Sequence, residues 1–149
     1  MRLCVFYFIT FLILFSKIIH ADENLDKKIE QVIQNPTYWG KVMGCAIRLQ
    51  TLASQTRDVR GEEITMLLGD DSGFNLLDTI LPLVQMKPPT GIQPEEFRNI
   101  ILGRVQQEIE EGSAWVTASN CIVMLTYNGF LNYNDINPNA DGFFILHSQ

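Results

Sequence analysis

Cys45 and Cys121 are the two side chains of this sequence whose type and placement promise covalent chemistry. Each sits in an apolar stretch of helical spacing. In an oxidising compartment an isolated pair in a small domain forms one bridge, and the alternative is two buried thiols. Closing so long a loop would stabilise the fold by roughly 4 kcal/mol on the chain-entropy model. Bridged sulfur cannot act as a thiolate nucleophile.

The remaining chemistry-bearing groups point to no specific reaction. The two histidines are His20 and His147. If the N-terminal segment is removed after Ala21, only His147 is left, which disfavours Ser-His-Asp, Cys-His and His-rich zinc arrangements. Paired acids occur at Glu62-Glu63, Asp70-Asp71, Glu95-Glu96 and Glu110-Glu111. Glycoside chemistry needs two carboxylates about 5 to 10 Å apart across a cleft. Neighbours on a helix project about 100° apart and need not converge. Asn137-x-Asn139-x-Asp141-Gly142 has the alternating oxygen ligands of a calcium loop, but Ser148 stands where that loop needs a glutamate. No catalytic residue, metal site or cofactor is expected. Tyr127, Phe130, Tyr133, Phe143 and Phe144 concentrate late in the chain and could line a pocket for an apolar molecule.

The elements that must position these groups begin after a leader. Arg2 precedes an apolar core from Leu3 to Phe15, and Ala21 offers a small residue before the acidic Asp22-Glu23, the pattern of a secretory signal peptide. The core of about 13 residues falls short of the roughly 20 that a membrane-spanning helix needs. Residues 22–149 then form one expected domain, large enough for a single core. Arg2 and Lys17 leave with the leader, so nine basic residues face seventeen acids, a formal charge of −8. That balance argues against nucleic acid and anionic membrane surfaces and favours encounter with a basic partner.

Within the domain the apolar spacing is helical throughout. Leu25, Ile29, Val32 and Ile33 give a first short helix one apolar side. Asn35 caps and Pro36 starts a long helix to about Gln55, with Tyr38, Val42, Cys45, Leu49 and Leu52 as its stripe. Gly40 and Gly44 on it would leave room for another backbone. Thr56 to Arg60 reads as a polar connection, Glu62 to Leu68 as a short helix, and Gly69 to Gly73 as a turn. The next helix carries Leu76, Leu77, Ile80, Leu81 and Val84, and Pro82 should end or kink it near Leu81. Lys87 to Gly91 is a breaker loop. Pro94 starts a helix with Phe97, Ile101, Val105 and Ile109 at steps of four. Gly112 stops it and Ser113 caps a last helix, whose Ala114, Ala118, Cys121 and Leu125 share a face. The turn-rich stretch 132–142 ends in the apolar Phe143-Phe144-Ile145-Leu146.

Trp39 ahead of Gly44-Cys45-Ala46-Ile47, and Asn120-Cys121-Ile122-Val123-Met124-Leu125, resemble segments of the small periplasmic immunity proteins that neutralise peptidoglycan amidases of type VI secretion. The leader, size and cysteine count agree, whereas residues 56–112 have no counterpart. The resemblance implies a helical inhibitor, often dimeric, that plugs the cleft of an amidase through an exposed acidic or polar loop. Asp70, Asp71 and Ser72, and Pro88 and Pro89, are the candidate partner-binding residues.

The expected fold is therefore all-α, four or five helices with one disulfide and an irregular C-terminal tail. The expected role is a non-enzymatic, periplasmic or secreted protein-binding module. A carrier of an apolar small molecule and a small hydrolase using a carboxylate such as Asp71 are the alternatives.

Overall fold

The computed structural model describes residues 23–55, 57–69 and 72–132 of the chain. They are all-α: among them six helical segments occur and no strand. Residues 23–33 form α1, followed by α2 (Pro36–Ser54), α3 (Arg57–Leu68), α4 (Ser72–Val84), α5 (Pro94–Glu110) and α6 (Ala114–Tyr127). The count exceeds the expected four or five because both short stretches, α1 and α3, stand as separate elements. Residues 1–22 and those from 133 onward lie outside the described residues.

The start of α2 follows from two adjacent residues. Asn35 has extended backbone geometry, and its side chain accepts a hydrogen bond from the Tyr38 amide at 3.1 Å, while Pro36 opens the helix. This satisfies one of the orphan donors of the first turn. Downstream, Trp39, Val42, Met43, Ala46, Ile47, Leu49 and Leu52 are all buried. A single stripe would bury one side, whereas these residues spread around the cylinder, so α2 is the central helix. α4 makes the most extensive contact with it, and α5 and α6 pack on it as well. Burying each of its large side chains fully contributes about 1.5–3 kcal/mol, which makes α2 the main organiser of the core.

Three local expectations are corrected. Pro82 does not end α4, which continues to Val84. Lying in the last turn, the proline removes one hydrogen bond where few remain to be broken. α3 begins at Arg57, and the break falls at Gly61, whose φ of +75° interrupts the helix before it resumes to Leu68. Ser113 occupies the N-cap of α6 but makes no side-chain capping bond. Its amide instead closes the end of α5 on the Glu108 carbonyl at 2.9 Å, and the Gly112 amide bonds Ile109 at 3.1 Å. This is the Schellman pattern, and it needs the left-handed Gly112 (φ +72°).

The outward sides also differ in part from the periodicity. Ile101 and Val105 of α5 are buried, but Ile100 beside them is 50 % exposed. On α4, Leu76, Ile80 and Leu83 are buried whereas Leu81 faces outward. Gly40 and Gly44 do meet α5, but through side chains. A Cβ at Gly44 would lie 3.5 Å from Ile101 Cδ1, and one at Gly40 would lie 3.8 Å from the Phe97 ring. These are ordinary contact distances, so no backbone approach depends on the glycines.

Candidate functional site: a cleft between α2, α4 and α5

Trp39, Met43 and Ile47 recur every four residues on α2 and so share one face. They form the floor of a cleft of about 350 Å³. Val84 at the end of α4 and Met86 just beyond it make one wall. The first two turns of α5 make the other, with Pro94, Glu95, Arg98 and Asn99. Pro94 at the first helical position and the acids Glu95 and Glu96 in the first turn explain why α5 begins here.

The floor is apolar and fixed. Phe97 packs on the Trp39 indole with ring centroids 5.0 Å apart and planes at 55°, an edge-biased geometry favourable to aromatic pairs. Trp39 is fully buried, and its Nε1 has no hydrogen-bond partner among the described residues. The rim is polar and carries both charges, since Glu95, Arg98 and Asn99 are exposed. Arg98 Nη2 donates to Gln50 Oε1 at 3.2 Å, which draws the guanidinium towards α2. The arrangement suits an apolar side chain or small apolar group flanked by polar or charged ones.

The helices around the cleft are locked from behind. Cys45 on α2 and Cys121 on α6 are joined in a disulfide with their Cα atoms 5.2 Å apart. One turn further along α2, Arg48 holds Glu108 of α5, and Thr117 of α6 donates to the same carboxylate at 2.9 Å. Arg48 Nη1 also lies 3.9 Å from Cys121 Sγ. Three helices are thereby tied at one level by a covalent bond and a charged network.

The residues singled out in the sequence are placed unevenly. Cys45 and Cys121 come together as expected. Asp70 and Asp71 lie outside the described residues, and Ser72 opens α4. Pro88 is half-buried and Pro89 buried, in the loop between Met86 and Pro94 that borders the cleft. The late aromatics also diverge: Tyr127 is 89 % exposed, whereas Phe130 is buried with its ring 6.4 Å from that of Tyr38. Tyr133, Phe143, Phe144, His147 and the residues of the calcium-like stretch lie outside the described residues. Among the described residues no group of three His, Cys, Asp or Glu is placed to hold a metal ion.

The acid pairs are spread out. Glu62 and Glu63 are exposed on α3, and Glu95-Glu96 and Glu110-Glu111 mark the two ends of α5. Glu110 and Glu111 accept hydrogen bonds from Gln106 and Gln107 one turn earlier, at 3.0 and 2.7 Å. The sequence reading missed Met86, Asn99 and the Arg48–Glu108–Thr117 network. Arg48 carried a usable signal, because it is the one charge between Val42 and Ala53 of an otherwise apolar helix.

No helix among the described residues is long and apolar enough to cross a membrane. The disulfide is compatible with an oxidising compartment. Searches of protein-family models, curated proteins and solved structures give no match to this chain.

Proposed function

We propose that this chain is an exported, non-catalytic protein-recognition module of the periplasm or extracellular space, and in its sharpest form an inhibitor or immunity protein directed at a cell-wall amidase. The single observation that carries the reading is the cleft floored by Trp39. It pairs an apolar base with a rim of mixed charge. A partner's loop supplies what such a cleft takes, an apolar side chain flanked by polar groups. The disulfide and the Arg48–Glu108 pair support the same role, because a recognition surface held rigid loses less entropy on binding. The excess of acids favours a basic partner surface.

The test is direct inhibition. The oxidised chain freed of its leader is mixed with purified peptidoglycan amidases, and cell-wall digestion and complex formation are measured. Suppression of one enzyme at a 1:1 ratio, weakened by Arg98→Glu, supports the proposal. Absence of any complex with these enzymes counts against its immunity-protein form.

A second reading, a carrier of an apolar small molecule, is favoured by the cleft volume, which falls in the range of about 300–1,000 Å³ typical of small-ligand sites. It predicts saturable binding of a hydrophobic fluorescent probe to the folded chain, lost on Met43→Asp. The recognition reading predicts no saturable site for the probe.

A further inference from the structure

α6 is unusual among surface helices in having no charged residue: its fourteen positions read AWVTASNCIVMLTY. One side is core, with Ala114, Ala118, Cys121, Ile122 and Leu125 buried. The opposite side carries Val116, Asn120, Val123 and Tyr127 at steps of four, three and four, so that they form a continuous row. Val116 is 42 %, Val123 51 % and Tyr127 89 % exposed. Surface helices ordinarily set charged or polar residues opposite their apolar stripe, and a helix apolar on both sides is one that is covered on both.

We propose that the segment Phe143-Phe144-Ile145-Leu146 of this same chain folds back and covers the row Val116, Val123 and Tyr127 of α6. The geometry of the connection supports it. The described chain ends at Asn132, only five residues beyond Tyr127, so the tail departs from the end of α6 that carries the most exposed member of the row. Ten residues lie between Asn132 and Phe143, and the eleven steps from one to the other can span at most about 36–40 Å. The row from Tyr127 back to Val116 is about 17 Å long at helical rise. The connecting residues include Asn134, Asp135, Asn137, Pro138, Asn139 and Gly142, types that reverse a chain readily.

A second copy is the weaker occupant. The exposed part of the three apolar side chains amounts to roughly 350 Å², taking an aromatic side chain at 150–250 Å². A standard interface buries about 800 Å² per partner. Two copies would also bring together two chains with a large excess of acids. A tethered segment needs far less area, because a short linker supplies an effective concentration in the millimolar range.

The test uses the full exported chain with a photo-crosslinking phenylalanine analogue at position 144. Irradiation followed by peptide mapping is expected to join position 144 to the α6 peptide of the same molecule. Val123→Asp alters a half-exposed position that the core does not use, and it should cut that product at least fivefold while the helical circular dichroism stays unchanged. Crosslinks only between two molecules, only to another part of the bundle, or to α6 but undiminished by Val123→Asp would each overturn the proposal.

Discussion

Arg48 and Glu108 are joined by two parallel hydrogen bonds, from Nε to Oε2 at 2.9 Å and from Nη2 to Oε1 at 2.8 Å, with only 12 % and 16 % of the side chains exposed. The bidentate geometry suits guanidinium and carboxylate, and Thr117 takes up a further acceptor site on Oε2. Two charges withdrawn from water in this way are tolerable only as a pair. Removing either one leaves the other desolvated.

Arg48→Ala and Glu108→Ala are each expected to cost about 3 kcal/mol, at the lower end for buried pairs since some solvent reaches this one. The double replacement Arg48→Ala with Glu108→Ala should cost clearly less than the sum of the single changes. Urea denaturation of the four proteins completes the cycle, and additive losses would show that the pair does not act as a unit.

The bridge from Cys45 to Cys121 closes most of the described chain into one loop. Replacing both cysteines by alanine should lower stability by about 4 kcal/mol at most on the chain-entropy model. The urea midpoint should then become insensitive to reductant, whereas that of the native chain falls on reduction. An unchanged midpoint in the double variant would mean that the α2–α6 packing holds without sulfur.

Gly44→Ala should be neutral or stabilising, by up to about 1 kcal/mol, because alanine is the better helix former and its Cβ meets Ile101 Cδ1 at 3.5 Å. Thermal unfolding reads this directly. A loss of stability would show that α5 cannot accept the added methyl.

Tyr38 should make stability fall at high pH. Its hydroxyl donates to Asn128 Oδ1 at 3.0 Å, and burial raises its pKa above the ordinary 10.0. Above pH 10 the unfolded phenol loses its proton while the folded one keeps it, so the folded state binds more protons and the contribution drains away as pH rises through the folded value. Tyr38→Phe should lower stability near neutral pH by about 0.5–1.5 kcal/mol for the lost hydrogen bond and flatten the alkaline decline. An alkaline slope equal to that of the native chain would contradict the assignment.

Much of this architecture is readable from periodicity, and the misreadings have physical causes. The Asn35-Pro36 start of α2, the stop at Gly112 and the face shared by Ala114, Ala118, Cys121 and Leu125 depend on local chemistry, which a sequence carries in full. The outward turn of Ile100 and Leu81 depends on which neighbour covers which side of a helix, a relation among distant segments. Pro82 carries a breaker signal yet does not end α4, because a proline in a last turn breaks little. The cleft was the least legible feature. Trp39, Met86 and Asn99 are far apart in sequence and individually unremarkable, and only the packing of α5 across α2 brings them to one opening. Composition marks Pro88 and Pro89 as breakers but carries no sign that Pro89 is buried.

The proposed role stands most directly on the cleft rim, which can be altered without touching the core. Binding of a peptidoglycan amidase to the oxidised chain should be measured by calorimetry for the native protein and for Arg98→Glu combined with Asn99→Arg. The recognition reading predicts a 1:1 complex with the native chain and at least tenfold weaker binding with the rim variant, which should unfold at the same urea concentration. Equal affinity for both proteins would contradict it, as would failure of the native chain to bind.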